Sequence, residues 1–151
     1  MKNAILLFYF FAITTSAQAQ TTEDSVKNTI NRFFEGMKKN DTTVVRSTMT
    51  DGVIFQSVAQ TKEGKTTVRT EKVNDFLAQI AKPMKEGVLD ERITFDVVRV
   101  DGGLASVWTP YKFYLGDKFL HCGANSFQLV RLDGQWLIQY IVDTRRRQGC
   151  D

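Results

Sequence analysis

ITFDVVRV (93–100), LASVWTPYKFYL (104–115), FLHCGANSFQLVRL (119–132) and QWLIQYIVDT (135–144) follow one another with only Asp101-Gly102-Gly103, Gly116-Asp117-Lys118 and Asp133-Gly134 between them. Each run sets apolar residues at a period of two, the pattern of a half-buried strand, and each connector is rich in the Gly and Asp that hairpin turns demand. Connections this short join antiparallel neighbours, so the C-terminal half of the chain reads as a four-stranded antiparallel meander.

Turn lengths set the register, and the register decides which side chains share a face. A three-residue first turn puts Val97 opposite Val107 and Phe95 opposite Thr109. A three-residue second turn puts Phe113 opposite His121 and Thr109 opposite Asn125. The two-residue Asp133-Gly134 turn puts Leu129 opposite Ile138, Phe127 opposite Tyr140 and Asn125 opposite Val142. One face then collects Ile93, Phe95, Val97, Val107, Tyr111, Phe113, Phe127, Leu129, Ile138, Tyr140 and Val142, and is the buried one. A two-residue loop at Gly116-Asp117 is rejected because it would turn Phe113, Tyr111 and Val107 outward. The opposite face carries Trp108 among mixed residues, including Asp143, and reads as a surface that meets water or a second subunit.

Upstream the period is helical. Val26, Ile30, Phe33, Phe34 and Met37 form one apolar stripe, entered through Thr21, Thr22 and Asp24 and closed by Lys38, Lys39 and Asn40. Asp41 can cap a short second helix through Met49. Val53–Ala59 and Thr66–Arg69 read as a hairpin about Lys62-Glu63-Gly64-Lys65. Thr70 then caps a third helix with inner face Val73, Phe76, Leu77 and Ile80, stopped before Pro83. The order is helix, helix, two strands, helix, four strands.

Composition fits one globular domain. Of 151 residues 42% are hydrophobic and 25% charged, which excludes collagen-like, disordered and low-complexity chains. A net charge of +3, from 20 Lys and Arg against 17 Asp and Glu, gives no field that would point to nucleic acid. Met1-Lys2-Asn3 is a short basic start, and Ala4–Ile13 is an apolar run that would span only about 15 Å as a helix, half of a bilayer core. Ala17-Gln18-Ala19 after it has the small alternating residues of a signal-peptidase site, so residues 1–19 are expected to be a signal peptide cleaved after Ala19. Residues 20–151 would be the mature domain, secreted or periplasmic and free of the membrane. In an oxidising compartment an even pair of cysteines, Cys122 and Cys150, is usually bonded; two buried thiols are the alternative.

The residues that could carry chemistry sit on the buried face: Thr109, His121, Asn125 and the hydroxyls of Tyr111 and Tyr140. Buried polar groups either satisfy one another or meet a ligand. His121 is the only histidine, able to carry a proton near neutral pH, or to sit as a satisfied core side chain. A His121–Asp143 dyad requires a β-bulge, because the straight register leaves Asp143 on the outer face. Asp143-Thr144-Arg145-Arg146-Arg147 has the look of an anion site or a basic tail, and three adjacent Arg at a strand end are more often a solvated terminus. There is no Gly-rich phosphate loop, nucleophile elbow, Cys-x-x-Cys or His-x-x-x-His spacing, so no cofactor and no metal are expected.

The helix and strand order, with Trp108-Thr109-Pro110-Tyr111-Lys112-Phe113, His121-Cys122-Gly123, Gly134-Gln135-Trp136-Leu137-Ile138 and Asp143-Thr144-Arg145-Arg146, resembles the nuclear transport factor 2-like superfamily, and within it the exported group that carries the lumazine-binding label. The resemblance implies an α+β fold, a cone-shaped barrel in which a curved, mostly antiparallel sheet wraps the N-terminal helices around an internal pocket. It also implies a homodimer packed through the outer sheet face. Relatives of this fold include isomerases, dehydratases and cyclases that use Asp and His inside the cone, whereas no acidic residue occupies an inward position in the register above. The expected function is binding of an aromatic or apolar small molecule by Tyr111, His121, Asn125 and Tyr140. A lyase or isomerase with His121 as proton carrier is one alternative; an interaction module working through the face around Trp108 is another.

Overall fold

The structure, a computed structural model, describes residues 21–150 apart from 62, 83, 84 and 86. The expected signal peptide and its cleavage point lie outside the described residues. Three helices, α1 (Thr22–Lys38), α2 (Thr42–Ser47) and α3 (Val73–Ile80), accompany seven strands. These are β1 (Met49–Gln60), β2 (Thr66–Glu71), β3 (Leu89–Ile93), β4 (Val97–Asp101), β5 (Leu104–Leu115), β6 (Lys118–Leu132) and β7 (Gln135–Thr144). They form one curved sheet in the order β2-β1-β7-β6-β5-β3, with β4 also on β5, and it does not close. Every pairing is antiparallel except β1 on β7.

α1 forms where its stripe predicts. Thr21 Oγ1 accepts from the Asp24 amide at 3.1 Å and caps the free N–H groups of the first turn, while Val26, Ile30, Phe33, Phe34 and Met37 are all buried. Burying each such side chain contributes about 1.5–3 kcal/mol. α2 folds back across α1 at Gly36, where a Cβ would stand 2.8 Å from Val45 Cγ2. Asp41 caps α2 through the Val44 amide at 3.0 Å, and the helix ends at Ser47, two residues short of the expected Met49. α3 starts from Lys72 rather than Thr70, with no side-chain cap.

Three irregularities revise the face assignments. The turn after β4 has two residues, since Asp101 pairs with Leu104, so Val98 opposes Val107, and Val98 and Val100 pack on the core while Val97 is 40% exposed. The three-residue turn, and Val97 as a core residue, are thereby corrected. β3 keeps the expected register, Ile93 opposite Tyr111, and the single expected strand 93–100 is broken at residues 94–96.

The turn after β5 also has two residues, Leu115 pairing with Lys118, yet Phe113 still opposes His121 and Thr109 still opposes Asn125. An extra residue in β6, Leu120, restores the inward phase, so the loop rejected on burial grounds is present and its consequence is cancelled by a bulge. A second bulge, at Gln139, has the opposite effect. Leu129 pairs with Ile138 as expected, but Gln128 pairs with Tyr140, Phe127 with Ile141 and Asn125 with Asp143. Beyond Gln139 the strand is rotated by one residue: Ile141 and Asp143 face inward, and Tyr140 and Val142, expected inside, face outward.

Candidate functional site

Between α1, α3 and the concave face of the sheet lies a cavity of about 590 Å³. Phe33 and Phe34 of α1, Phe76 of α3, Phe55 of β1, Phe113 of β5 and Phe127 of β6 give its wall six aromatic rings. Phe33 stacks on Phe76 with centroids 5.9 Å apart and meets Phe55, Phe34 and Phe127 edge-on, so the rings hold one another in place.

The polar groups gather in the same cavity, on strands β1, β3, β5, β6 and β7. Asp143 is their hub. Its carboxylate accepts from the Ser57 hydroxyl, from Arg145 Nε at 2.8 Å and from the Tyr111 hydroxyl at 3.3 Å. Tyr111 donates more closely to the Thr144 carbonyl, at 2.9 Å, and burial together with the neighbouring Glu91 and Asp143 carboxylates raises its phenol so that it stays protonated. Gly123 makes this contact possible. A Cβ there would lie 1.8 Å from the Thr144 carbonyl oxygen and 2.8 Å from the Tyr111 ring.

Glu91 enters from β3, opposite Phe113. Asn125 Nδ2 donates to its Oε1 at 2.8 Å and lies 3.3 Å from Thr109 Oγ1. Loss of solvation, only partly offset by the Asn125 bond and reinforced by the charge of Asp143, pushes the Glu91 carboxyl up to about 7. His121 stacks on Phe113 at 4.8 Å and meets Tyr111 edge-on at 5.7 Å. Burial, and then the Arg145 charge, lower its pKa, which keeps the imidazole neutral at pH 7.

Cys122 and Cys150 are joined by a disulfide, with Cα atoms 5.7 Å apart. The bond folds the terminus back along β6, where Arg146 and Cys122 exchange backbone hydrogen bonds of 2.8 and 2.9 Å. Arg145, one residue earlier, thereby lines the cavity.

No family model matches the chain, and no curated protein matches it. The architecture nevertheless recurs among solved structures. A nuclear transport factor 2-like protein of unknown function from Shewanella baltica OS155 superposes with a TM-score of 0.63 at 14% identity, over 82% of this chain and 93% of that one. A protein of unknown function from Mycobacterium tuberculosis gives 0.65 at 18%, over 84% and 73%. A domain of unknown function with a cystatin-like fold from Nostoc punctiforme gives 0.63 at 14%, over 85% and 81%. The fold is that of the nuclear transport factor 2-like proteins. At these identities the likeness concerns architecture, and the chemistry rests on this chain's own side chains.

Within this nuclear transport factor 2-like cone, Tyr111, His121 and Asn125 line the cavity as expected. Tyr140 does not: the Gln139 bulge turns it to the outer face, where its hydroxyl donates to Gln56 Oε1 at 2.7 Å. The expectation of no inward acid on the last four strands is overturned by Asp143, Glu91 adds a second acid from a strand that begins earlier than expected, and Arg145 belongs to the cavity rather than to a solvated tail. The bulge brings Asp143 to the same cavity as His121, but no hydrogen bond joins the two among the described residues; Asp143 is occupied by Ser57, Tyr111 and Arg145.

Proposed function

We propose that the cone binds a small molecule with an apolar or aromatic body, oriented by the polar cluster around Glu91, Asn125, Tyr111 and His121. The observation that carries this reading is an aromatic-walled cavity of about 590 Å³ into which a few polar groups converge, within the usual size of a ligand site. A neutral probe, 1-naphthalenemethanol, tests it by calorimetric titration. One-to-one binding that is abolished in Ile141→Trp, which fills the cavity, is expected. Absence of binding to the native protein would sink the reading.

A lyase or isomerase is favoured by a separate observation: Glu91, whose carboxyl titrates near 7, shares the cavity with a neutral His121 and a protonated Tyr111. A carboxyl poised near ambient pH can both take and return a proton, so Glu91 suits the role of proton carrier better than His121. Turnover that survives His121→Ala and is lost in Glu91→Gln would support that assignment.

Export through residues 1–19 belongs to the same proposal, and the Cys122–Cys150 bond accords with an oxidising compartment. No helix among the described residues is long and apolar enough to cross a membrane. Trp108 and Val97, paired on the outer face and 42% and 40% exposed, offer an apolar surface for a second copy. Sedimentation of Trp108→Lys beside the native chain tests this homodimer; a native monomer at high concentration would remove it.

A further inference from the structure

We propose, resting on the reading of the cone as a small-molecule site, that its ligand is an organic cation: an apolar or aromatic body whose protonated amine seats against the Glu91 carboxylate. The geometry points to this through what Glu91 lacks. One of its oxygens accepts from Asn125, and among the described residues no Lys, Arg or His lies within ion-pair distance of either. The second oxygen of Glu91 has no hydrogen-bond partner among the described residues, and Glu91 lines the cavity.

The nearby charges cannot supply the missing partner. Asp143 and Arg145, from β7 and the segment after it, are committed to each other at 2.8 Å. His121 and Asn125 of β6 and Tyr111 of β5 are neutral at pH 7, Arg69 and Lys82, which also line the cavity, are exposed residues, and Glu71 of β2, the third acid of the lining, accepts from Gln79 Nε2 at 2.8 Å and adds negative charge. With Glu91 ionised, the Glu91, Asp143 and Arg145 group carries one uncompensated negative charge. An ammonium would cancel it and complete the hydrogen bonding of Glu91, while the aromatic rings of the wall receive the apolar body. A carboxylate ligand would instead add charge of the wrong sign beside Glu91. The carboxyl titrating near 7 fits this picture: it waits partly protonated and ionises when the cation arrives.

Calorimetric titration with 1-naphthylmethylamine, 1-naphthalenemethanol and 1-naphthoate at pH 8 tests the assignment. The amine is expected to bind about tenfold or more tightly than the alcohol, a usual gain for a charge-assisted contact. In Glu91→Gln that preference should fall to within about twofold, whatever the change in the affinity for the alcohol itself. Should Glu91→Gln fail to fold, judged by circular dichroism, the native protein supplies a second readout. Its amine-to-alcohol preference should rise from pH 5 to pH 8 as Glu91 ionises. Equal binding of amine and alcohol, tightest binding of the naphthoate, or a preference that ignores pH would overturn the cation assignment and leave the small-molecule reading standing. Binding of none of the three would overturn both.

Discussion

Replacing Glu91 by Gln is expected to stabilise the protein, and to do so only at higher pH. In an unfolded chain the Glu91 carboxyl ionises near 4.5, whereas in the cone it does so near 7. Below 4.5 it is protonated in both states and costs nothing. Between the two values the unfolded chain releases the proton and the folded one holds it, so stability falls by about 1.4 kcal/mol per pH unit. Above 7 the loss is complete, at most about 3 kcal/mol, and Gln escapes it. The stability difference between Glu91→Gln and the native protein should therefore be near zero at pH 4 and climb to about 3 kcal/mol by pH 8, or roughly 10 °C in Tm for a domain of this size. Urea unfolding followed by the fluorescence of buried Trp136 measures it across that range. His121 and the surface ion pairs titrate in both proteins and cancel in the difference. A difference that is flat with pH, or a variant less stable than the native chain at pH 8, would refute the argument that an uncompensated carboxyl is held inside the cone.

Gly123→Ala places a methyl 1.8 Å from the Thr144 carbonyl oxygen, so it should cost at least about 3 kcal/mol in thermal unfolding, at the upper end of overpacking penalties. Phe127→Ala empties a fully buried position where the aromatic wall meets the core, with an expected loss of about 3–5 kcal/mol by urea titration. Cys150→Ser opens the 28-residue separation closed by the disulfide and should lower stability by up to about 3.5 kcal/mol, read as a shift in the urea midpoint. Tyr140→Phe removes only the hydroxyl bonded to Gln56 on the outer face, so it should cost about 1 kcal/mol and leave the affinity for 1-naphthalenemethanol within about twofold.

The elements of the cone were legible in the sequence because its apolar periods are strong. The stripe from Val26 to Met37 and the alternation through Leu104–Leu115 each admit one reading, and those segments form as expected. The site was less legible because it depends on phase rather than period. In Trp136-Leu137-Ile138-Gln139-Tyr140-Ile141-Val142 both parities are apolar after Gln139, so hydrophobicity cannot say whether Tyr140 and Val142 or Ile141 face the core. The structure chooses Ile141, and Asp143 follows it inward. Glu91 did leave a signal. Leu89, Glu91, Ile93 and Phe95 occupy alternate positions, and a strand begun at Leu89 instead of Ile93 would have placed a carboxyl in the middle of an inward apolar row.

Bulges and short turns thus carry the electrostatics of this cone. The bulge at Leu120 is neutral in effect, since it undoes the two-residue turn before it and keeps His121 facing Phe113. The one at Gln139 is not. Without it β7 would turn Tyr140 and Val142 inward and leave Asp143 outside, Arg145 would lose its partner on the cavity side, and Tyr111 would keep only Glu91 of its two carboxylate neighbours. Glu91 and Glu71 would then be the acids lining the cavity among the described residues. Because Asp143 raises Glu91 whereas Arg145 lowers it, bringing both inward together adds a balanced pair and leaves Glu91 as the group whose charge is uncompensated. The Asp143–Arg145 pair in the cavity therefore follows from one extra residue in one strand, a change to which hydrophobic patterning is blind and to which Glu91 responds directly.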